Sequence, residues 1–264
     1  MVGISTGMNL LQGSNTDIKE GLKFWFEMDS LPIINKVNSS QWINTPLANT
    51  LDLTISASNP VSTGLGSNVL LQQNSSAPTT TQRNDFNWPT SPIYGSPYDS
   101  TISFWIRSYS NMLLPYFSIF NGATSPLAIS IDNVGSPSVR LHVGGVVVED
   151  TIKLSLTLPS YNVWYNVTYV LNVQSMDAFY VYYRITGYIN GALSLIESSG
   201  TYSNSRSFTY IFKNAFEVAA APLETYYTPK VLVDNLCYWT RALSQSEINT
   251  LYNSGSGISY SQLV

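Results

Sequence analysis

The chain has 264 residues, of which 44% are apolar and only 11% are charged, and its formal net charge is −4 at pH 7. Its 12 Lys and Arg residues are spread thinly, whereas nucleic-acid binding needs a clustered cationic face. No segment approaches the ~18 consecutive apolar residues of a membrane helix. The first residues lack the charged and apolar regions of a secretory signal. We therefore expect no nucleic-acid partner, no membrane span and synthesis in the cytoplasm.

Residues 1–20 show no clear hydrophobic period, which predicts an N-terminal arm or linker that anchors on a neighbouring protein. A domain is predicted over residues 21–264. Its first strand follows Gly21, where Leu22, Phe24 and Phe26 alternate with polar or amphipathic residues. Alternation of this kind is typical of a strand that is buried on one face only.

Further strands are predicted from alternating apolar residues between turn-rich segments. They lie at about 50–57, 69–73, 101–107, 116–121, 127–132, 139–143, 165–170, 179–189, 208–219 and 231–239. Residues 74–99 are rich in Pro, Ser and Asn and are predicted to form one long loop. The Asn190-Gly191 pair favours a type I′ hairpin turn. About a dozen short strands predict two stacked antiparallel sheets, an all-β jelly-roll sandwich.

One short helix is predicted after the last strand. Ser244 is a suitable N-cap, and Glu247 three residues later completes a capping box. Three apolar residues then fall on one face, Ile248, Leu251 and Tyr252. Gly255 is predicted to end the helix in the left-handed conformation.

The sequence of this C-terminal end resembles that of laminin-G-like, concanavalin A-like jelly rolls. The family usually has an Asp-containing strand, then Arg-Ala-Leu-Ser, Glu-Ile and a Leu-Tyr-Asn-x-Gly close, which here occupy residues 231–255. The Gly21-Leu22 opening, the strand at 101–107, Trp164 and Asn190-Gly191 resemble further family features. The resemblance covers residues 21–255 and is poor over 30–99.

The resemblance implies a candidate calcium site. In the family, a calcium ion tends to lie near the acidic residue after the first strand and the Asp of the last strand, which correspond to Asp29 and Asp234. Six to eight oxygen ligands are required, and no acidic cluster surrounds either residue, so a turn role for Asp234 and a solvated Asp29 remain alternatives.

Aromatic residues in the turn-rich segments are candidates for glycan binding, because sugars pack on aromatic faces with amides or carboxylates at the rim. The candidates are Trp88, Tyr94, Tyr98, Tyr226 and Tyr227, with Trp42 also weighed. The alternative for each residue is packing within the sandwich.

The sequence offers little for catalysis. A hydrolase on this sandwich would need paired carboxylates on one strand face, and Glu27 with Asp29 is the pair to test. His142 is the single histidine and no nucleophile elbow surrounds any serine, so a triad is not predicted. Cys237 is alone and is expected to be a buried small apolar residue.

Three hypotheses follow. The first is a non-catalytic surface-binding or structural sandwich of a virus or phage particle, which decorates a shell or contacts host glycans. Its partners would be other structural proteins held by the N-terminal arm. The second is a carbohydrate-active enzyme or a lectin module of a cell-surface protein. The third needs no ligand and predicts a homo-oligomeric assembly contact.

Overall fold

The computed structural model describes residues 17–27, 34–39, 51–56, 68–73, 82–87, 99–108, 117–120, 127–132, 138–143, 152–176, 180–203, 215–220 and 230–263. These residues form fourteen strands and one α-helix, numbered in chain order. The strands are β1 Leu22–Phe26, β2 Leu51–Ser56, β3 Asn68–Gln73, β4 Gln82–Asn87, β5 Ser100–Ser108, β6 Phe117–Phe120, β7 Leu127–Asp132, β8 Ser138–Val143, β9 Ile152–Thr157, β10 Trp164–Met176, β11 Tyr180–Ile189, β12 Ala192–Ser203, β13 Ala215–Ala220 and β14 Lys230–Trp239, and α1 is Gln245–Tyr252.

The strands form two antiparallel sheets. The first sheet has eight strands in the order β12-β11-β10-β5-β14-β3-β2, with β1 also paired to β14. The second sheet has six strands in the order β4-β13-β6-β7-β8-β9. The all-β sandwich with one short C-terminal helix, predicted from the sequence, is confirmed.

Strand β14 changes partners at a bulge along one of its edges. Residues 230–233 pair with β3, and residues 236–239 pair with β1. The register against β5 shifts between Asp234 and Cys237, and Asn235 has a positive φ of 44°. Asn tolerates this left-handed conformation better than most residues. The Asp234-Asn235 step therefore lets one strand hold two shorter strands side by side.

The two sheets contact each other through the row of side chains around Tyr169. The Tyr169 hydroxyl donates to the Val139 carbonyl of β8 at 2.7 Å, which joins the two sheets. Close by, the Leu156 side chain of β9 would lie 2.8 Å from a Cβ built on Gly187. A side chain at Gly187 would therefore force the Leu156 side chain of the second sheet to move, and glycine avoids this clash.

The strand register of the first sheet determines which side chains form the inner core of the sandwich. Tyr169 pairs with Ile102, and Ile102 pairs with Tyr238. Tyr238 in turn pairs with Phe24, whose ring lies 5.6 Å from it. Directly paired residues point to the same face, so these side chains face the second sheet, and all are buried.

The C-terminal cap, which we define as residues 240–263, covers the outer face of the first sheet over β1, β14 and β10. Trp25 and Trp239 lie on this face, both essentially fully buried, with their rings in edge contact at 6.1 Å. They belong to an apolar cluster that also contains residues of the cap. The members are Ile18, Leu22, Trp25, Val170, Cys237, Trp239, Leu243, Ile248, Leu251, Ile258 and Leu263.

Hydrogen bonds fix the cap to the sheet. The Asn235 amide Nδ2 donates to the Ile258 carbonyl at 3.0 Å, and its Oδ1 accepts from the Trp25 indole at 3.3 Å. At the other end of the cap, the Leu243 N–H donates to the Thr101 hydroxyl at 3.0 Å. The buried side chains of Asn235 and Thr101 on the sheet therefore find hydrogen-bond partners in the cap.

The start of α1 is confirmed and its predicted end is wrong. Ser244 is the N-cap, and the capping box with Glu247 is complete. Ile248 and Leu251 are buried, as predicted. The helix ends at Asn253, which takes the left-handed conformation with φ 47°, before Gly255 is reached. The Asn253 side chain favours this end because its Nδ2 donates to the Gly257 carbonyl at 2.7 Å.

The hairpin between β11 and β12 is also confirmed. Ile189 pairs with Ala192 across a two-residue turn, in which Asn190 and Gly191 both have positive φ. Asn190 also anchors the turn, because its Oδ1 accepts from the Asn166 N–H at 2.9 Å. Positive φ at both positions is the signature of the type I′ turn.

Three predictions about the strands need correction. Residues 74–99 were predicted as a loop, yet β4 lies within them and pairs with β13, although its sequence is mostly polar. Strand β9 has no counterpart among the predicted strands, and of β12 only the turn that opens it was predicted. Strand β1 was expected to bury one face only, but Trp25 on its other face is buried under the cap.

The described part of the predicted N-terminal arm packs on the cap. Ile18 is buried in the apolar cluster, and its carbonyl accepts from the Trp239 indole at 2.8 Å. Arg241 donates to the carbonyls of Asp17 and Glu20. Residues 17–20 thus pack against the domain, while residues 1–16 lie outside the described residues and their role as an arm stays a prediction.

We predict that Asn235→Ala lowers the free energy of unfolding by about 2–4 kcal/mol. The substitution removes two buried hydrogen bonds and places alanine at a left-handed position. Urea unfolding followed by tryptophan fluorescence measures the effect. Thr250→Ala, at an exposed position on α1, is the control and should stay within about 0.5 kcal/mol of the wild type. An Asn235→Ala variant as stable as the control would contradict the anchoring role.

Acid should weaken the first turn of α1. Burial tends to raise the pKa of Glu247, but hydrogen bonds from Arg241 and from Ser244 outweigh it and lower the pKa below its ordinary value. A carboxyl with a lowered folded pKa contributes stability above its unfolded pKa of about 4.3, and this stability is lost as the pH falls through the folded pKa.

We therefore expect Glu247→Gln to be less stable than the wild type at pH 7 and to approach it as the pH falls below about 4. The measurement is chemical unfolding at a series of pH values between 3 and 7, in steps of about half a unit. Parallel stability curves for the two proteins would show that the Arg241–Glu247 pair adds nothing.

Candidate functional site

The glycan-binding candidates are not placed by the structure. Trp88, Tyr94, Tyr98, Tyr226 and Tyr227 all lie outside the described residues, as does Trp42. Their role in binding stays a prediction.

The candidate calcium pair is placed in part. Asp29 lies outside the described residues, whereas Asp234 is fully buried at the bulge of β14. Its Oδ1 accepts from the Asn235 N–H at 2.7 Å, a turn role that the sequence had left open. Among the described residues no group of three or more His, Cys, Asp or Glu side chains could hold a metal ion. The calcium site stays a prediction.

Glu27, the described member of the candidate catalytic pair, is used by the fold. Its Oε2 forms an ion pair with Lys36 at 3.1 Å, and its Oε1 accepts from the Tyr260 N–H at 2.6 Å. The Glu27 side chain is only 11% exposed. The carboxylate thus links β1 to the cap, and both oxygens already have partners.

Cys237 is buried in the apolar cluster and forms no disulfide. Its thiol donates to the Asn235 carbonyl at 3.1 Å. Burial raises the pKa of the Cys237 thiol well above its ordinary value, and the charges of Glu27 and Asp234 raise it further. A thiol of this kind is inert as a nucleophile, because the thiolate is the reactive form.

A surface next to the cap was missed at the sequence level. We call it the β11–β12 strip and define it by Arg184, Thr186, Tyr188 and Leu193. Tyr188 pairs with Thr168 and with Leu193, and Thr168 hydrogen-bonds Ser103 on the capped face. The strip is therefore the lateral continuation of the outer face of the first sheet.

The side chains of the β11–β12 strip are graded in exposure. Arg184 is exposed and Leu193 is 51% exposed, whereas Thr186 is 8% exposed and Tyr188 is half-buried. Tyr188 packs against the apolar cluster. The strip thus has a buried floor, an aromatic side and a cation at one end. Alternation at residues 184, 186 and 188 is the sequence signal that could have indicated it.

Helix α1 borders the β11–β12 strip. The Gln245 amide donates to the Gly191 carbonyl at 2.7 Å and to the Asn249 Oδ1 at 2.8 Å. Both amides are exposed. The edge of the cap therefore presents side-chain amides beside the hairpin that carries Leu193.

No helix in the described part of the chain has the length and apolarity that a membrane span requires. No protein-family model matches the chain, and no curated protein matches it either.

Solved structures match the chain at the level of the fold. The binding domain of botulinum neurotoxin serotype C1 is similar with a TM-score of 0.58 and 14% identity, over 90% of this chain and 52% of that chain. The binding domain of botulinum neurotoxin DC in complex with SialylT gives 0.56 and 15%, over 89% and 51%.

A third structure comes from work on botulinum neurotoxin type C, whose cell entry depends on interaction with two ganglioside molecules. It gives a TM-score of 0.55 and 16% identity, over 90% of this chain and 52% of that chain. The chain thus spans about half the length of the structures it matches. Identities this low establish a shared β-sandwich fold and nothing finer.

We predict that Glu27→Ala lowers the free energy of unfolding by about 1–2 kcal/mol, because the Tyr260 N–H loses its acceptor in a partly buried site. Glu27→Gln keeps an oxygen at that position and should cost less. Urea unfolding of both variants measures the difference. Release of reducing sugar from a polysaccharide panel by the wild type, lost in Glu27→Gln, would contradict a purely structural role.

Proposed function

We propose that the protein is a non-catalytic recognition module that binds glycans on a surface. The supporting observation is the fold: the β-sandwich is similar to binding domains, two of which are described with ganglioside molecules or SialylT. Each matched chain is about twice as long, so the likeness does not locate the sugar contacts within the half that this chain matches. That the ligand of this chain is a glycan is therefore part of the proposal.

The charge distribution supports binding over catalysis. Three of the described acids serve the fold: Glu27 pairs with Lys36, Glu247 pairs with Arg241, and Asp234 accepts from the backbone at the β14 bulge. A glycosidase needs two carboxyl groups that face one sugar. A binding module needs aromatic faces and amides instead, and the candidates for this role in the turn-rich segments are Trp88, Tyr94, Tyr98, Tyr226 and Tyr227.

Finer assignments belong to the same proposal. We infer a component of a virus or phage particle, which would meet host glycans outside the cell, with an extracellular or cell-surface protein as the alternative location. Copurification of a tagged copy with particles tests this part, and recovery from the lysate alone would count against it. Membership of the laminin-G-like family, a homo-oligomeric state and calcium at Asp29 and Asp234 are further proposals.

The proposal predicts that the protein binds a subset of the glycans on an array. Trp88→Ala, Tyr94→Ala and Tyr227→Ala are each compared with the wild type by titration against the best ligand. At least one variant should bind roughly three- to tenfold more weakly, since an aromatic contact contributes about 0.5–1.5 kcal/mol.

Val163→Ala removes an exposed apolar side chain that is not among the candidates, and it should bind like the wild type. At a protein concentration of about 1 mM, binding with a Kd in the millimolar range is still detected. An array without signal at this concentration would exclude glycan recognition. A structural role in an assembly would then be the better account.

A further inference from the structure

We propose that the β11–β12 strip is a binding site for a carboxylate-bearing sugar, an inference that rests on the proposed function and names the ligand class and the surface. The first argument is position. The strip continues the outer face beyond the edge of the cap, and Arg184 and Leu193 are exposed there, whereas the described side chains beneath the cap are buried.

The second argument is charge. Arg184 is exposed and forms no ion pair with any residue that the structure describes. On a chain with few cations and a net charge of −4, such a side chain favours an anionic ligand. The guanidinium presents two parallel N–H groups, which match the two oxygens of a carboxylate.

The third argument is the spacing between Arg184 and Tyr188. The two residues are four apart on one strand and point to the same face, which separates their Cα atoms by about 13 Å. Burial raises the pKa of the Tyr188 phenol, and the positive charge of Arg184 partly opposes this rise. A sugar ring fits between them over Thr186, with its apolar face on Tyr188 and Leu193 and its carboxylate on Arg184.

The fourth argument concerns the rim. Gln245 and Asn249 lie along the border of the strip, and the contact of Gln245 with the Gly191 carbonyl holds that border against the hairpin. Exposed amides donate to and accept from sugar hydroxyls. The strip therefore combines an aromatic face, a cation and amides, which are the groups that bind acidic sugars.

The test compares sialyllactose with lactose, its neutral counterpart, by isothermal titration against the whole chain. We expect the wild type to bind sialyllactose and to bind lactose at least tenfold more weakly. Arg184→Ala should lose about tenfold or more for sialyllactose and leave lactose unchanged, since a hydrogen bond to a charged group contributes more than one factor of ten.

The controls separate charge from shape. Lys19→Ala also removes one positive charge but lies against Tyr260 on the cap, and it should bind sialyllactose within twofold of the wild type. Tyr188→Ala should weaken both ligands, because it removes the stacking face, whereas Tyr188→Phe keeps the ring and should retain most of the binding. Circular dichroism confirms that each variant is folded.

The outcomes distinguish this inference from the proposed function. Wild-type binding to sialyllactose that Arg184→Ala leaves unchanged would overturn the strip as the site, and glycan recognition would stand. Binding to neutral glycans alone would overturn the acidic ligand class. The absence of any glycan binding would overturn both.

Discussion

The contact between the C-terminal cap and the outer face of the first sheet is the interaction on which the rest of this structure depends. Trp25 and Trp239 are buried beneath the cap, and each indole contributes about 4–6 kcal/mol by its buried area. A domain of this kind is stable by only about 5–15 kcal/mol in total. Without the cap both rings would face water, so residues 240–263 belong to the sandwich as much as its strands do.

The cap also decides where function can lie. Over β14, β5 and β10 it fills the face with Ile248, Leu251 and Ile258 and satisfies the polar groups of the sheet through Asn235 and Thr101. That part of the face cannot receive a ligand without loss of the cluster. The β11–β12 strip, which we propose as a binding surface, lies beside this capped region.

Three acidic side chains of the chain likewise stabilise the fold. Glu27, Asp234 and Glu247 would each be a candidate for chemistry in a sequence with so few charges. In the structure the first links β1 to the cap, the second stabilises the bulge of β14, and the third caps α1 and binds Arg241. Both carboxylate oxygens of Glu27 and of Glu247 already have partners among backbone N–H groups and cations, which positions these two side chains for stability.

The sequence alone determined the elements whose signals are local: the alternating strand β5, the Asn190-Gly191 turn and the capping box at Ser244 all depend on residues within a few positions of each other. Tertiary structure decided what depends on distant partners. The polar strand β4 forms because β13 supplies its hydrogen bonds, and Trp25 is buried because a segment more than 200 residues away covers it. The β11–β12 strip became a surface for the same reason: the cap ends beside it, and no local pattern records where a distant segment stops.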